Sequence, residues 1–196
     1  DLVRSRGLGD VYKRQQLILP RGIMGTTINK IRLINFKRFR NYTVEPNKQI
    51  NIFVGDNEVG KSSVLEAIDL VASGSIHQVE AIGLERLLNI EVVQEFNVGR
   101  RSFDNLPILR IELYLDLVSP DPFMNGKNNT DRIKCDGIRL VCAPNPDYRT
   151  EITESLAAYR DYFPYDYYSI RYSTFADEGY TGYKKKFHVA MIDSSN

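Results

Sequence analysis

An α/β fold with a mixed sheet and an added antiparallel β part is predicted by three observations. An apolar strand, "KQINIFV", runs into the glycine-bearing loop "GDNEVGKS", Gly55 to Ser62. The loop runs directly into "KSSVLEAIDLVASG", whose Val64, Leu65, Ile68 and Val71 recur at helical spacing. Further on, "LPILRIELYLDLV" alternates apolar with polar residues, the period of a strand.

The chain has 196 residues, enough for one domain with a real core. Residues 1–48 hold eleven Lys/Arg against three Asp/Glu, so the net charge of +1 hides a basic start and a net acidic remainder. Such a start suggests nucleic acid. Part of it is discounted, because "DLVRSRGLGDVYKRQ" has no apolar period and looks like translated adapter sequence. Residues 1–23 are therefore expected to be a non-native or disordered leader, with the native start at or near Met24 and one domain over 24–196.

The elements follow in order. "TINKIRLINFKRF" reads as a strand in which Ile31 and Leu33 compete with Ile34 and Phe36, so it borders a core. "NYTVEP" is a second strand, ended by Pro46, and these two form an expected antiparallel pair. In "KQINIFV", Ile50, Ile52 and Val54 alternate with Asn51 and Phe53. The helix after the loop stops at Gly74. "VEAIGLERLLNIEVVQEF" is helical but broken near Gly83. "LPILRIELYLDLV" places Leu109, Ile111, Leu113 and Leu115 opposite Arg110, Glu112, Tyr114 and Asp116, which predicts one wet face. "SPDPFMNGKNNTD" reads as a surface loop. "DGIRLVC" is a strand, and "TEITESLAAYRDYF" is an amphipathic helix capped by Thr150 or Thr153. "YDYYSIRYSTF" and "FHVAMID" are strands separated by a basic, turn-rich loop. Cys135 and Cys142 fall seven apart, on opposite faces if one strand carries both. That argues against a disulfide and fits a reducing cytoplasm. No apolar run approaches the roughly 20 residues that span a bilayer.

Gly55, Gly60, Lys61 and Ser62 fit G-x-x-x-x-G-K-[ST], the Walker A pattern. The glycines let the backbone turn tightly and aim successive N–H groups into an anion site. The following helix adds the positive end of its dipole. Lys61 reaches the β- and γ-phosphates, and the Ser62 hydroxyl ligates Mg²⁺. Gly55, Asn57, Gly60, Lys61, Ser62 and Ser63 are thus expected to hold the triphosphate of ATP.

The stretch "INKIRLINFKRFRNYTVEPNKQINIFVGDNEVGKSSVLEAI" resembles the N-terminus of the ABC-type ATPases of DNA metabolism: RecF, the SMC proteins and the OLD (overcoming lysogenization defect) ATP-dependent nucleases. They share a strand ending in "NF..F", a short strand, a strand ending in "GxNxxGKS/T", then a helix. "YYS…TF" and "IDSS" look like segments of the OLD type in particular. The resemblance implies a P-loop lobe of ABC type, incomplete at the C-terminus. It implies Lys37 and Arg38 near phosphates or base; a solvated basic strand end explains the same two residues. It further implies a DNA partner, a head-to-head homodimer closed through ATP, and nuclease action if the OLD type is right.

One family feature has no counterpart. No four apolar residues end in Asp-Glu, the Walker B strand that holds Mg²⁺ and polarises water; "VAMID" ends in Asp193 followed by Ser194. The chain is expected to be the N-terminal fragment of a longer ATPase, binding nucleotide with little or no turnover. Gln78 and Gln94 are candidates for a glutamine loop by position only.

Rival readings remain. A RecF- or SMC-type repair ATPase would lack the nuclease. A small-molecule kinase would place an Arg-rich lid later, and "YTGYKKKFH" is its only trace. A GTPase would need an [NT]KxD motif after the loop, and none is present. A pure binding module would use Lys184, Lys185 and Lys186 on phosphates, although such a run is more often a solvated strand start. Tyr162, Phe163, Tyr165, Tyr167 and Tyr168 suit base stacking less well than core packing. His77 and His188 have no metal-ligand partners at useful spacing.

Overall fold

The computed structural model describes residues 16–18, 27–47, 58–181 and 190–192. A short strand β1 (Gln16–Ile18) comes first. Then come the hairpin strands β2 (Thr27–Phe36) and β3 (Phe39–Val44). A helical section follows: α1 (Glu58–Ser73), α2 (Ile76–Ile82), α3 (Leu84–Leu87) and α4 (Ile90–Val98). Beyond it lie β4 (Leu109–Asp116), β5 (Asn125–Gly126), β6 (Cys135–Pro144), α5 (Arg149–Ala158), β7 (Tyr168–Thr174) and β8 (Ala190–Ile192).

The main sheet runs β3-β2-β4-β6, with β5 and β7 pairing different stretches of β6. Every described pairing is antiparallel. The expected strand "KQINIFV", which would make the sheet mixed, lies outside the described residues. β1 pairs with β8, so three residues of the segment read as a leader form a strand.

One sheet face is apolar because side chains alternate along each strand. Ile31, Leu33, Leu109, Ile111, Leu113, Ile138, Leu140 and Cys142 are all buried on it. Val64, Ala67, Ile68 and Val71 of α1 belong to the same core cluster. Each Val, Leu or Ile among them contributes about 1.5–3 kcal/mol on full burial. Both cysteines are free, with Cys142 buried and Cys135 half-exposed on the same strand.

The opposite face departs from its expected wetness. Glu112 is 1% exposed and Tyr114 2%. The cause is the segment 119–131, expected to be a surface loop, which folds back over β4. Thr130 donates to Glu112 from its backbone N–H at 2.9 Å and from its hydroxyl at 2.9 Å. The Tyr114 hydroxyl donates to the same carboxylate at 3.1 Å. Asp131 accepts from Lys30 at 2.6 Å, and the Lys30 ammonium sits 4.0 Å above the Tyr114 ring. Met124 and Asn129 of this segment are buried. A period of two shows which residues share a face; it carries no sign of what later covers them.

Neither Thr150 nor Thr153 caps α5 as expected. The N-cap is Tyr148, without a side-chain bond, and the Thr153 hydroxyl donates back to the Arg149 carbonyl at 2.7 Å. Pro146 opens a 3₁₀ turn capped by Asn145, and the chain enters α5 already helical, which puts both threonines inside the helix. The aromatic set other than Tyr162 packs as core: Phe163 is buried against Phe96, Tyr165 and Tyr168, and Tyr167 packs on the same cluster. The break at Gly83 occurs where expected, at φ +88°.

Candidate nucleotide site at the start of α1

Helix α1 begins at Glu58, three residues earlier than the apolar spacing suggests, and takes Gly60, Lys61 and Ser62 into its first turns. Gly55 and Asn57 lie outside the described residues. The first N–H groups of any helix have no intrahelical partner. Added to the helix dipole, they make this end a place for anions. Ser62 is exposed at that end and Ser63 is buried. Of the two hydroxyls, Ser62 is therefore the one open to a ligand.

The hairpin turn between β2 and β3 stands beside this helix end. Phe36 pairs with Phe39, so Lys37 and Arg38 form the two-residue turn. A Cβ on Gly60 would lie 3.9 Å from Nη1 of Arg38 and 4.0 Å from Cζ of Phe39. These are ordinary van der Waals distances, and Gly60 has no positive φ. Neither the described neighbours nor the backbone demand glycine here. Lys37 turns the other way, and its ammonium forms an ion pair with Glu66, two helical turns into α1.

The turn is itself gripped from behind. Asn35 and Lys37 adopt φ of +52° and +49°, the left-handed region that non-glycine residues enter at a cost. The Lys37 N–H donates to the Leu87 carbonyl at 2.6 Å, and the Asn89 N–H donates to the Asn35 carbonyl at 2.9 Å. The Asn89 side-chain amide donates to the Lys37 carbonyl at 2.6 Å. The Asn35 side chain donates to the Ile108 carbonyl at 2.9 Å.

The expected site residues thus separate. The structure brings Arg38 to Gly60 and the first turn of α1, and it engages Lys37 elsewhere. Glu66 and Asn89 were not anticipated. Asn89 was legible as a helix cap before "IEVVQEF", but nothing in the sequence shows that its amide reaches Lys37. Gln78 is half-buried and donates to Asp69 at 2.8 Å, whereas Gln94 is exposed. The single Asp-Glu pair of the sequence, Asp177–Glu178, follows β7. Asp177 accepts from Arg171 at 2.9 Å. Tyr180, two residues on from Glu178, packs on Gly74, which is ~20 Å along α1 from Gly60 at 1.5 Å per residue. That acidic pair therefore belongs to the far end of the helix. Among the described residues no group of three His, Cys, Asp or Glu side chains is placed to hold a metal. No described helix is long and apolar enough to cross a membrane.

The chain is similar to several known proteins. The DNA replication and repair protein RecF of Acetivibrio thermocellus is 33% identical over 73 residues, 33% of this chain and 20% of that protein. RecF of Clostridium tetani is 37% identical over 51 residues, 26% of this chain and 14% of that protein. An ATP/GTP phosphatase of Helicobacter pylori is 38% identical over 50 residues, again 26% and 14%. The chain covers a fifth or less of the length of these relatives. Residues 27–188 match the model of a family described as AAA ATPase domain. The match takes in the hairpin, the glycine loop, α1 and the sheet behind them, and the chain belongs to that AAA ATPase domain family.

Proposed function

We propose that this chain binds ATP with Mg²⁺ at the start of α1 and forms the nucleotide-binding part of a DNA-processing ATPase. One observation carries the reading: Arg38 is held against the first turn of the Walker A helix by a turn whose left-handed residues are pinned from behind. An arginine set beside free helix N–H groups is suited to a multiply charged anion. Gly60 supports the same ligand. Having no Cβ, Gly60 leaves the backbone of the first turn open to close approach by a ligand.

Gly55, Asn57, Gly60, Lys61, Ser62 and Ser63 surround the phosphates in this reading, and Arg38 lies beside them. Lys37 ties the turn to α1 through Glu66. Mg²⁺ fits the exposed Ser62 hydroxyl, a hard oxygen ligand, with most of its coordination left to phosphate and water. When bound it neutralises phosphate charge. The chain's own residues do the rest: the amides and Lys61 orient the tail, and Arg38 covers its flank.

For the larger protein, similarity to DNA replication and repair proteins supports the RecF-type reading, a DNA-repair ATPase that we propose without nuclease action. The OLD-type nuclease reading rests on "YYS…TF" and "IDSS". Closure of a homodimer through ATP, a DNA partner and a cytoplasmic setting belong to either reading. A turnover assay on the 196-residue chain tests the proposal. ATP binding with little or no hydrolysis is expected, because the sequence has no Walker B strand. Robust hydrolysis that disappears in Lys61→Ala would contradict that part.

A further inference from the structure

We infer that Asn89 is a positioning residue for the nucleotide, acting through the Lys37–Arg38 turn; the inference rests on the ATP reading above. Asn89 is 1% exposed, and its two side-chain atoms do separate work. Oδ1 accepts from the Val92 N–H at 3.1 Å and caps α4. Nδ2 donates to the Lys37 carbonyl at 2.6 Å.

The turn needs such a hold. A left-handed conformation costs a non-glycine residue about 1–2 kcal/mol, and Lys37, unlike Asn35, has no short polar side chain to offset it locally. Three hydrogen bonds from the α3–α4 junction oppose relaxation: the Leu87 carbonyl on the Lys37 N–H, the Asn89 N–H on the Asn35 carbonyl, and the Asn89 side-chain amide on the Lys37 carbonyl. Only the last comes from a side chain, so it is the one that substitution removes without breaking the chain path. Arg38 is the next residue. Rotation of the Lys37–Arg38 peptide would carry its guanidinium away from Gly60. Among the described contacts Asn89 meets the turn at Asn35 and Lys37 and otherwise bonds within α4, so its influence on the nucleotide passes through the turn to Arg38.

The two roles come apart in Asn89→Asp. Aspartate caps a helix as well as asparagine does. It cannot donate to the Lys37 carbonyl, and it sets a second oxygen against that carbonyl. Calorimetric titration of the 196-residue chain with MgATP, for the unsubstituted chain, Arg38→Ala, Asn89→Asp and the double variant, reads the coupling. Asn89→Asp is expected to keep its helical circular dichroism and to bind about tenfold more weakly, the scale of one charge-assisted contact. In the Arg38→Ala background it is expected to add nothing. Asn89→Ser, which keeps a capping hydroxyl but falls short of Lys37, gives the same cycle if the aspartate variant folds poorly. Unchanged affinity in both variants, or an equal loss with and without Arg38, overturns the inference and leaves ATP binding standing. Absence of binding by the unsubstituted chain instead removes the ATP reading and this inference with it.

Discussion

At its C-terminal end helix α1 is closed by aromatic side chains, whereas at its N-terminal end the described residues bring up a cation. Gly74 ends the helix at φ +59°, and a Cβ there would come within 2.9 Å of the Tyr180 ring, so backbone and space both require glycine. The Tyr180 hydroxyl donates to the Val71 carbonyl at 2.7 Å, and the Tyr172 hydroxyl donates to the Ser75 carbonyl at 3.2 Å. Burial pushes the Tyr180 phenol well above its ordinary range, which keeps it protonated as a donor. At the other end Gly60 has ordinary contacts with the described residues and no positive φ, with Arg38 beside it. In the proposed reading these two glycines have different reasons: Gly74 serves the fold, and Gly60 serves the phosphates the fold would hold.

Substitutions that treat both ends alike break or sharpen this contrast. Lys61→Ala is expected to have the largest effect, about 100-fold or more on MgATP affinity by calorimetry, with a melting temperature near that of the parent. Gly74→Ala is expected to do the reverse. It should lower stability by about 2–3 kcal/mol in denaturant titrations, from left-handed strain plus the Tyr180 clash, and leave the affinity of the folded fraction unchanged. Gly60→Ala should hold or slightly raise stability through helix propensity while weakening nucleotide binding. Loss of stability in Gly60→Ala together with normal binding would erase the distinction. Tyr180→Phe should cost about 1 kcal/mol by leaving the Val71 carbonyl without its donor.

The smallest effect lies on the covered sheet face. Hydrogen bonding from Lys30, with its charge and that of Arg32, holds the Asp131 carboxyl below its ordinary range despite some opposing burial. A depressed carboxyl stabilises the fold above its unfolded pKa of about 3.9, and the contribution disappears as pH falls through the lower folded value. Because both side chains are partly solvated, the contribution should stay within about 1 kcal/mol. Asp131→Asn should flatten that limb of the acid denaturation curve.

Much of this was legible in the sequence because period and punctuation act locally. The hairpin, the stop at Gly74, the break at Gly83 and the inner face of β4 all follow from residues within a few positions of one another. The departures came from distant segments. Glu112 and Tyr114 looked wet because their neighbours on β4 show only which face they share; Thr130 and Asp131 cover them from a connection many residues away. The two threonines read as caps because the short turn starting at Pro146 carries no periodicity. At the site, the spacing of Gly55, Gly60, Lys61 and Ser62 marks the Walker A pattern, of which Gly60 to Ser62 fall within the described residues. The division of labour between Lys37 and Arg38 was not legible, since both are basic and adjacent, and only Glu66 and the Leu87–Asn89 clamp distinguish them.

The most direct test compares ATP, ADP and AMP, each with Mg²⁺, by calorimetry on the folded chain and on Lys61→Ala. The account predicts saturable binding that weakens as phosphates are removed and collapses in the variant. Equal affinity for AMP and ATP, or no heat from any of them with a well-folded sample, would contradict it.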